Sequence, residues 1–429
     1  MTSAIEKYLS RYAEPEAAFL ATASTATAEL PSIKNALTQH SGVHFESCLV
    51  IPAYNESLGF IERLKQHPHI SHVLLILVIN QPENSESAIK NQQLFNTLTT
   101  PKNIIATDKN IAFIQTGALR ALIVDRFSET NRIPIKQGVG LARKIGADIA
   151  CQLYVDGLIK DNKSNGQWIF STDADAHLPH NYFNIGHIKS DLRVFNFHHI
   201  KNPSEISSAT GQYEQALKYY QKALEWSGSP YAFYALGSVL AFQVDAYSKV
   251  RGFPKRSAGE DFYLLNKLIK QGRVTFDPSI TVQIEPRISD RVPFGTGPAV
   301  KAIIEKNKDN EEYTYYNPEI FTLLKTWIRW ATTQLPNACL SDQNNASNWK
   351  ELIQGSLPDT IIDTIDSLKF EEFVNHASHQ CRTNAAFIEH FHNWFDGFKT
   401  LKFIHYLQRY YHPAIPINEC IKAHKNWEM

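Results

Sequence analysis

From about Phe45 onward, short apolar runs alternate with helical patterns. "CLVI" (48–51) and "HVLLILVIN" (72–80) are continuous apolar runs of strand length, and "SLGFIERLKQH" (57–67) between them has a helical pattern. A further helical stretch, "ESAIKNQQLFNTL" (86–98), and a further apolar run, "NIIAT" (103–107), follow. Such alternation predicts crossover units and a mostly parallel sheet. Ligands of such sheets gather beyond the carboxyl ends of the strands. Next come a glycine-started helix, "GVGLARKIGADIACQLY" (138–154), and "GQWIFSTDADAHLP" (166–179), an apolar strand running into acidic residues. "AGEDFYLLNKLIKQGRV" (258–274) predicts an amphipathic helix, and "TVQIEPRISDRVPFGTGPAV" (281–300), rich in Arg, Pro and Gly, reads as a loop.

The flanks differ from this middle. Residues 1–44 read as a helical, loosely amphipathic extension broken by "TASTATAELPS", and the pattern beyond residue 300 is helical to the end. Three regions follow: 1–44, 45–300 and 301–429. "GQYEQALKYYQKALEWSGSPYAFYALG" (211–237) resembles a tetratricopeptide unit but has no second copy, so a single helix pair within a larger domain is expected. Phe387, Phe391, Trp394 and Phe398 fall at spacings of four, three and four, one face of a helix. Core packing explains them. With Lys399 and Lys402 they also fit a face turned to membrane or to a lipid acceptor.

Composition narrows the class. Hydrophobic residues are 43% and charged residues 20%, and Lys plus Arg equals Asp plus Glu at 43 each, which gives no reason to expect a nucleic-acid partner. Five scattered cysteines without a Cys-x-x-Cys pair point to a reducing compartment and no zinc ribbon. The N-terminal stretch is charged and lacks a signal peptide's apolar core, and the most apolar run, Val73 to Ile79, is far short of the roughly 20 residues of a spanning helix. The expected location is the cytoplasm, with peripheral membrane contact as the one form of attachment left open.

Four groups of residues carry candidate chemistry. Asp173 and Asp175, two apart at a strand end, would lie on one side of the chain, where two repelling carboxylates suit a hard divalent cation such as Mg2+ or Mn2+; a solvated turn is the plain alternative. Glu260 and Asp261 head a helix, where they cap it or present a general base to an acceptor hydroxyl. Lys136, Arg143 and Lys144 around Gly138 and Gly140 fit either a phosphate at a helix start or a charged solvent face. Arg287, Ser289 and Arg291, with Gly295 and Gly297, form a plausible phosphate clasp. His177 and His180 read as surface residues, and His376, His379 and Cys381 fall one ligand short of a closed zinc site.

The order of these pieces, strand then "PAYNE", basic glycine helix, strand then Asp-x-Asp, "VRGFP", then "GED", resembles the family 2 glycosyltransferases of the GT-A fold over about residues 45–300. The resemblance implies an α/β, Rossmann-like, mostly parallel sheet flanked by helices, with helical N-terminal and C-terminal extensions. By it, Pro52, Tyr54 and Glu56 form the nucleotide pocket, and Asn80, where the family usually has Asp, contacts the base. Asp173 faces the ribose and metal, Asp175 ligates Mn2+ or Mg2+, and Arg143, with Arg287 and Arg291, steadies the phosphates. Asp261 is the catalytic base and Glu260 lies beside it. The implied donor is a UDP- or GDP-linked sugar and the acceptor a sugar, lipid or small molecule, with inversion if attack is direct. Alternatives are a retaining GT-A enzyme, a sugar nucleotidyltransferase, whose glycine-rich loop "PAYNESLGF" lacks, and a non-enzymatic interaction protein built on the tetratricopeptide-like pair.

Overall fold

The computed structural model describes residues 3–21, 31–39, 45–86, 88–160, 166–186, 189–289, 295–341 and 349–424. It divides into two compact units, residues 1–202 with 235–298, and residues 203–234 with 299–429.

The first unit is α/β. Its strands are β1 (Ser47–Ala53), β2 (Val73–Asn80), β3 (Ile104–Asp108), β4 (Ile111–Thr116), β5 (Leu119–Arg126), β6 (Trp168–Ser171), β7 (Ala176–His177), β8 (Leu192–His199), β9 (Leu240–Gln243) and β10 (Val274–Ile284). They form one sheet in the order β3-β4-β5-β2-β1-β6-β9-β8-β10-β7. The middle, β5-β2-β1-β6, is parallel, as is β8 with β10. β2 is buried at every position, which is why its sequence is continuously apolar instead of alternating. The expected α/β architecture, a sheet with a parallel middle flanked by helices, is therefore what the chain forms, with β9 inserted antiparallel to both β6 and β8. Hairpins add antiparallel margins: β3 and β4 meet across Lys109, and β4 and β5 across Gly117, both with positive φ. The reading of residues 281–300 as a loop is corrected at both ends, since Thr281 to Ile284 complete β10 beside β8 and a helix begins at Thr296.

Helices α1 (Ala4–Arg11), α2 (Pro15–Ala21), α3 (Ile33–Gln39), α4 (Gly59–Lys65), α5 (Ile89–Leu98) and α6 (Gly138–Val155) belong to this unit. α6 packs on β1 and β2, closely enough that a Cβ on Gly146 would come within 2.4 Å of Val50. Its other side is covered by α1 and α2, so Leu141 to Tyr154 are all buried. Charge inside that contact is paired. Asp148, fully buried, accepts from the hydroxyls of Tyr8 and Tyr247, from Lys144 Nζ at 2.9 Å and from the Glu14 backbone N–H at 2.8 Å.

The second unit is helical: α7 (Glu205–Trp226), then, after α8 (Val244–Lys249) and α9 (Glu260–Ile269) of the first unit, α10 (Thr296–Lys308), α11 (Pro318–Thr333), α12 (Leu335–Ser341), α13 (Trp349–Ile353), α14 (Asp359–Ser367), α15 (Phe370–Gln380), α16 (Asn384–Trp394), α17 (Gly397–Tyr410) and α18 (Ile417–His424). Tyr219, Phe321, Trp327, Phe370, Phe391 and Phe403 share its main core. The expected helix pair at 211–237 is a single helix. Gly228, at φ +77°, ends α7, with the Ser229 N–H returning to the Leu224 carbonyl at 3.0 Å. The aromatic stripe packs into the core as Phe387 and Phe391, both fully buried, and Trp394, which stacks on Phe373 at 4.7 Å. It spans two helices instead of one, because Asp396 caps α17 by accepting from the Phe398 and Lys399 N–H groups. Among the described residues no helix is long and apolar enough to cross a membrane.

Candidate functional site

The carboxyl ends of β1, β2 and β6 lie side by side, and the expected site residues gather there. Pairing of β1 with β6 stops at Val50, so by Pro52 the strand has an open edge where proline is tolerated. Asn55 then adopts φ +56°, a left-handed conformation that asparagine accepts more readily than most residues. Its N–H donates to Asn91 Oδ1 at 2.8 Å, and Asn91 Nδ2 donates to the Asn80 carbonyl at 3.0 Å. Tyr54 is half-buried beside this turn. Asn80, expected to contact a base, instead gives its amide N–H groups to the carbonyls of Ala53 and Val78, both at 3.2 Å, and is only 6% exposed. It ties the ends of β1 and β2 together.

The Asp-x-Asp pair lies past the strand, not on it. β6 ends at Ser171, and a turn in which the Ala176 N–H reaches the Asp173 carbonyl carries both acids, so strand alternation does not place them. Each has its own guanidinium: Asp173 Oδ1 meets Arg143 NH2 at 2.6 Å, and Asp175 Oδ2 meets Arg287 Nε at 2.8 Å. Arg63 of α4 donates to the carbonyl of the intervening Ala174 at 2.9 Å and pairs with Glu285, also at 2.9 Å. Glu285 Oε1 in turn accepts from His177 Nε2 at 2.9 Å.

Arg143 corrects an expectation. It is 3% exposed and gives Nε to Glu260 at 2.8 Å, NH1 to Ser171 Oγ at 3.0 Å and the Thr172 carbonyl at 3.3 Å, and NH2 to Asp173. Its donors are committed within the protein, so it positions acids instead of holding phosphate. Burial opposes its charge, but Asp173, Glu260 and Asp261 outweigh burial and hold the guanidinium protonated. Gly237 leaves the room: a Cβ there would sit 2.2 Å from Arg143 NH2.

The helix start before Arg143 is no phosphate cradle either. A Cβ on Gly140 would meet the Pro254 carbonyl at 2.5 Å and the Arg256 backbone at 2.7 Å, and the Gly140 N–H donates to the Arg256 carbonyl. The chain of "VRGFPKRS" fills that end. Lys144 is buried against Asp148, with its ammonium committed to that carboxylate.

Glu260 and Asp261 open α9 behind Gly259, whose φ of +72° makes the turn into the helix. Glu260 is buried on Arg143, while Asp261 is half-buried and accepts the adjacent Phe262 N–H at 2.7 Å. Burial first, then the neighbouring Glu260, and also Asp173, push the Asp261 carboxyl up to about 7, against the pull of the Phe262 N–H and Arg143. A carboxyl poised there exchanges a proton readily at neutral pH.

Arg287 completes the array. Its NH1 meets Glu56 at 2.6 Å while Nε holds Asp175, so the end of "PAYNE" and the Asp-x-Asp turn are joined through one side chain. Arg291 lies outside the described residues. Arg63, Glu285, Ser171 and Gly237 are members that pattern reading missed; each sits in a different element, and only their packing brings them together.

A resident divalent cation fits this donor set by chemistry and charge. Glu56, Asp173, Asp175, Glu260, Asp261 and Glu285 face Arg63, Arg143 and Arg287, which is twice as many carboxyl groups as guanidinium groups, and a guanidinium already stands as cation at Asp175. No group of three or more His, Cys, Asp or Glu side chains arranged to hold a metal occurs among the described residues, so protein ligands would be few. A cavity of about 820 Å³, lined by Glu14, Phe95, Lys109 and Arg126 among others, touches none of the expected site residues.

Compared with family profiles and with curated proteins, the sequence finds no match. Among solved structures the chain is similar to the crystal structure of GalNAc-T7 with UDP, GalNAc and Mn2+, at a TM-score of 0.32 and 11% identity, over 68% of this chain. It spans about half of that protein's chain, 51%.

Proposed function

We propose that this protein is a glycosyltransferase of the family 2 kind, moving a sugar from a UDP- or GDP-linked donor to an acceptor hydroxyl. One observation carries the reading. Asp173 and Glu260 are fixed on a single buried guanidinium at the carboxyl ends of parallel strands, and next to them stands Asp261, a half-buried carboxyl titrating at about 7. That arrangement supports base-assisted group transfer. In the proposed reaction Asp261 takes the acceptor's proton as the acceptor oxygen bonds to the sugar carbon. The bond from that carbon to the diphosphate oxygen breaks, its electron pair leaving with the nucleoside diphosphate; direct in-line attack inverts the sugar. Tyr54 would stack on the base, and Glu56 would accept from the nucleoside. Asp173 and Asp175 would hold Mn2+ or Mg2+, which when bound supplies positive charge to the leaving diphosphate. Action in the cytoplasm, with membrane contact confined to the surface, and a catalytic region at 45–300 belong to the same proposal.

The test is a panel of UDP- and GDP-linked sugars incubated with purified protein, with and without Mn2+, and read as release of nucleoside diphosphate. Release from at least one donor, lost in Asp261→Asn, is the expected result. No release from any donor, with no nucleoside diphosphate bound, would remove the reading.

A further inference from the structure

Arg287 is the guanidinium of the array that bridges two candidate donor-site motifs, the end of "PAYNE" and the Asp-x-Asp turn. Arg143 is buried and fully committed, and Arg63 is fixed on Ala174 and Glu285. Arg287 is about a third exposed and holds Glu56 through NH1 and Asp175 through Nε. Asp175 and Glu56 hold it charged against partial burial. A diphosphate approaching this spot meets more carboxylates than guanidiniums, so it binds weakly unless positive charge is added. Added charge, however, has to compete with Arg287 for Asp175.

We infer that Arg287 is an exchangeable counter-ion: it stands in for a divalent cation at Asp175, and when a cation takes that carboxylate its fork turns to the donor's diphosphate, leaving Glu56 to the nucleoside. Planar guanidinium matches phosphate oxygens bidentately, which makes the second partner as good as the first. The exchange rests on the donor-site reading above and adds a thermodynamic signature to it. Cation and nucleotide each free the other's partner, so their binding is mutually reinforcing, by an equal factor in both directions.

Binding of Mn2+ alone is followed by loss of the free-ion paramagnetic signal, and binding of UDP and of GDP by calorimetry, each with and without Mn2+. In the wild-type chain, Mn2+ alone and nucleotide alone should bind weakly, and each should tighten the other about tenfold or more. Arg287→Gln removes the stand-in, so Mn2+ alone should bind about tenfold tighter while nucleotide with Mn2+ weakens about tenfold and the mutual tightening shrinks. Arg287→Lys, which keeps charge but not the fork, should retain the weak Mn2+ binding and lose the nucleotide clamp. Unchanged affinity for Mn2+ alone in a folded Arg287→Gln protein overturns the exchange, whatever UDP or GDP does. Tighter Mn2+ binding in that variant, with neither nucleotide binding the wild type, keeps the stand-in role and overturns both the donor-site reading and the diphosphate half.

Discussion

Asp261 draws its character from what surrounds it. Its neighbours in sequence would suit a helix cap, yet its oxygen takes the adjacent Phe262 N–H, and burial beside Glu260 and Asp173 raises its pKa to about 7. Two pH effects follow. Turnover that needs the ionised base should rise with pH through about 7 and then level off, and Asp261→Asn should remove that inflection and lower turnover by something like 10²–10⁴-fold while nucleotide binding persists. Stability runs the other way. A carboxyl whose folded pKa is raised holds its proton more tightly in the folded chain, so its stabilising contribution is full below about pH 4 and is lost as pH rises through about 7. Urea melts across that window should show a shallower decline in Asp261→Asn than in the wild type. Arg143 sets the second residue-scale expectation. Arg143→Met leaves Glu260 and Asp173 without their shared cation, and a loss of about 3–5 kcal/mol is expected, as for other buried pairs broken on one side. Gly237→Ala should reproduce part of the defect, because the new methyl lands on the guanidinium. A Gly237→Ala protein with wild-type stability and turnover would show that Arg143 has room to move.

At the level of elements, α6 is held at two places along its length. Its first turn is sealed by the backbone of residues 254–257, and its middle is fastened to α1 by the Tyr8, Asp148 and Lys144 cluster, with Lys144 Nζ 2.6 Å from the Tyr8 hydroxyl. Since Arg143 rides on this helix, both contacts set where Asp173 and Glu260 meet. Gly140→Ala drives a methyl into backbone and should destabilise by about 1–3 kcal/mol or more, whereas a phosphate-binding glycine would lose nucleotide affinity in a protein of normal stability. Thermal midpoints and calorimetry on one preparation separate the two. Tyr8→Phe removes a donor from buried Asp148 and should lower stability by about 1–3 kcal/mol, while Tyr12→Phe, on the exposed side of the same region, should change little.

For the whole molecule, chain order and spatial order diverge at α7. Residues 205–226 lie between β8 and β9 in sequence, yet their apolar face belongs to the helical unit, where Ser227 Oγ donates to the Phe321 carbonyl at 3.2 Å and the Tyr219 hydroxyl to the Tyr316 carbonyl at 3.1 Å. A chain stopped at residue 298 would therefore keep α7 and lose what Tyr219, Ala223 and Leu224 pack against. It should bind an apolar-surface dye and aggregate, and deleting residues 204–230 with a short linker should relieve both. Dye binding and light scattering of the two truncated proteins check this, and a soluble, dye-silent 1–298 chain would contradict it.

The parallel middle of the sheet, the helices α4, α5, α6 and α9, and the presence of acids where strands end are all legible in the linear pattern of residues. Those features are local: periodicity, apolar runs and strand-end composition are each read within a dozen residues. Asn55 in "YNE" is part of that local code, as the residue that lets the chain turn. Which acid meets which cation was decided only by tertiary structure. Arg63, Arg143 and Arg287 come from three distant elements, and nothing in their own surroundings says that one is buried on two acids, one fixes a turn and one joins two strand ends. The single helix where a pair was expected has the same cause, since the register of α7 is set by what covers its apolar face. Ion pairing and burial depend on distances across the fold, and a linear pattern carries no record of those distances.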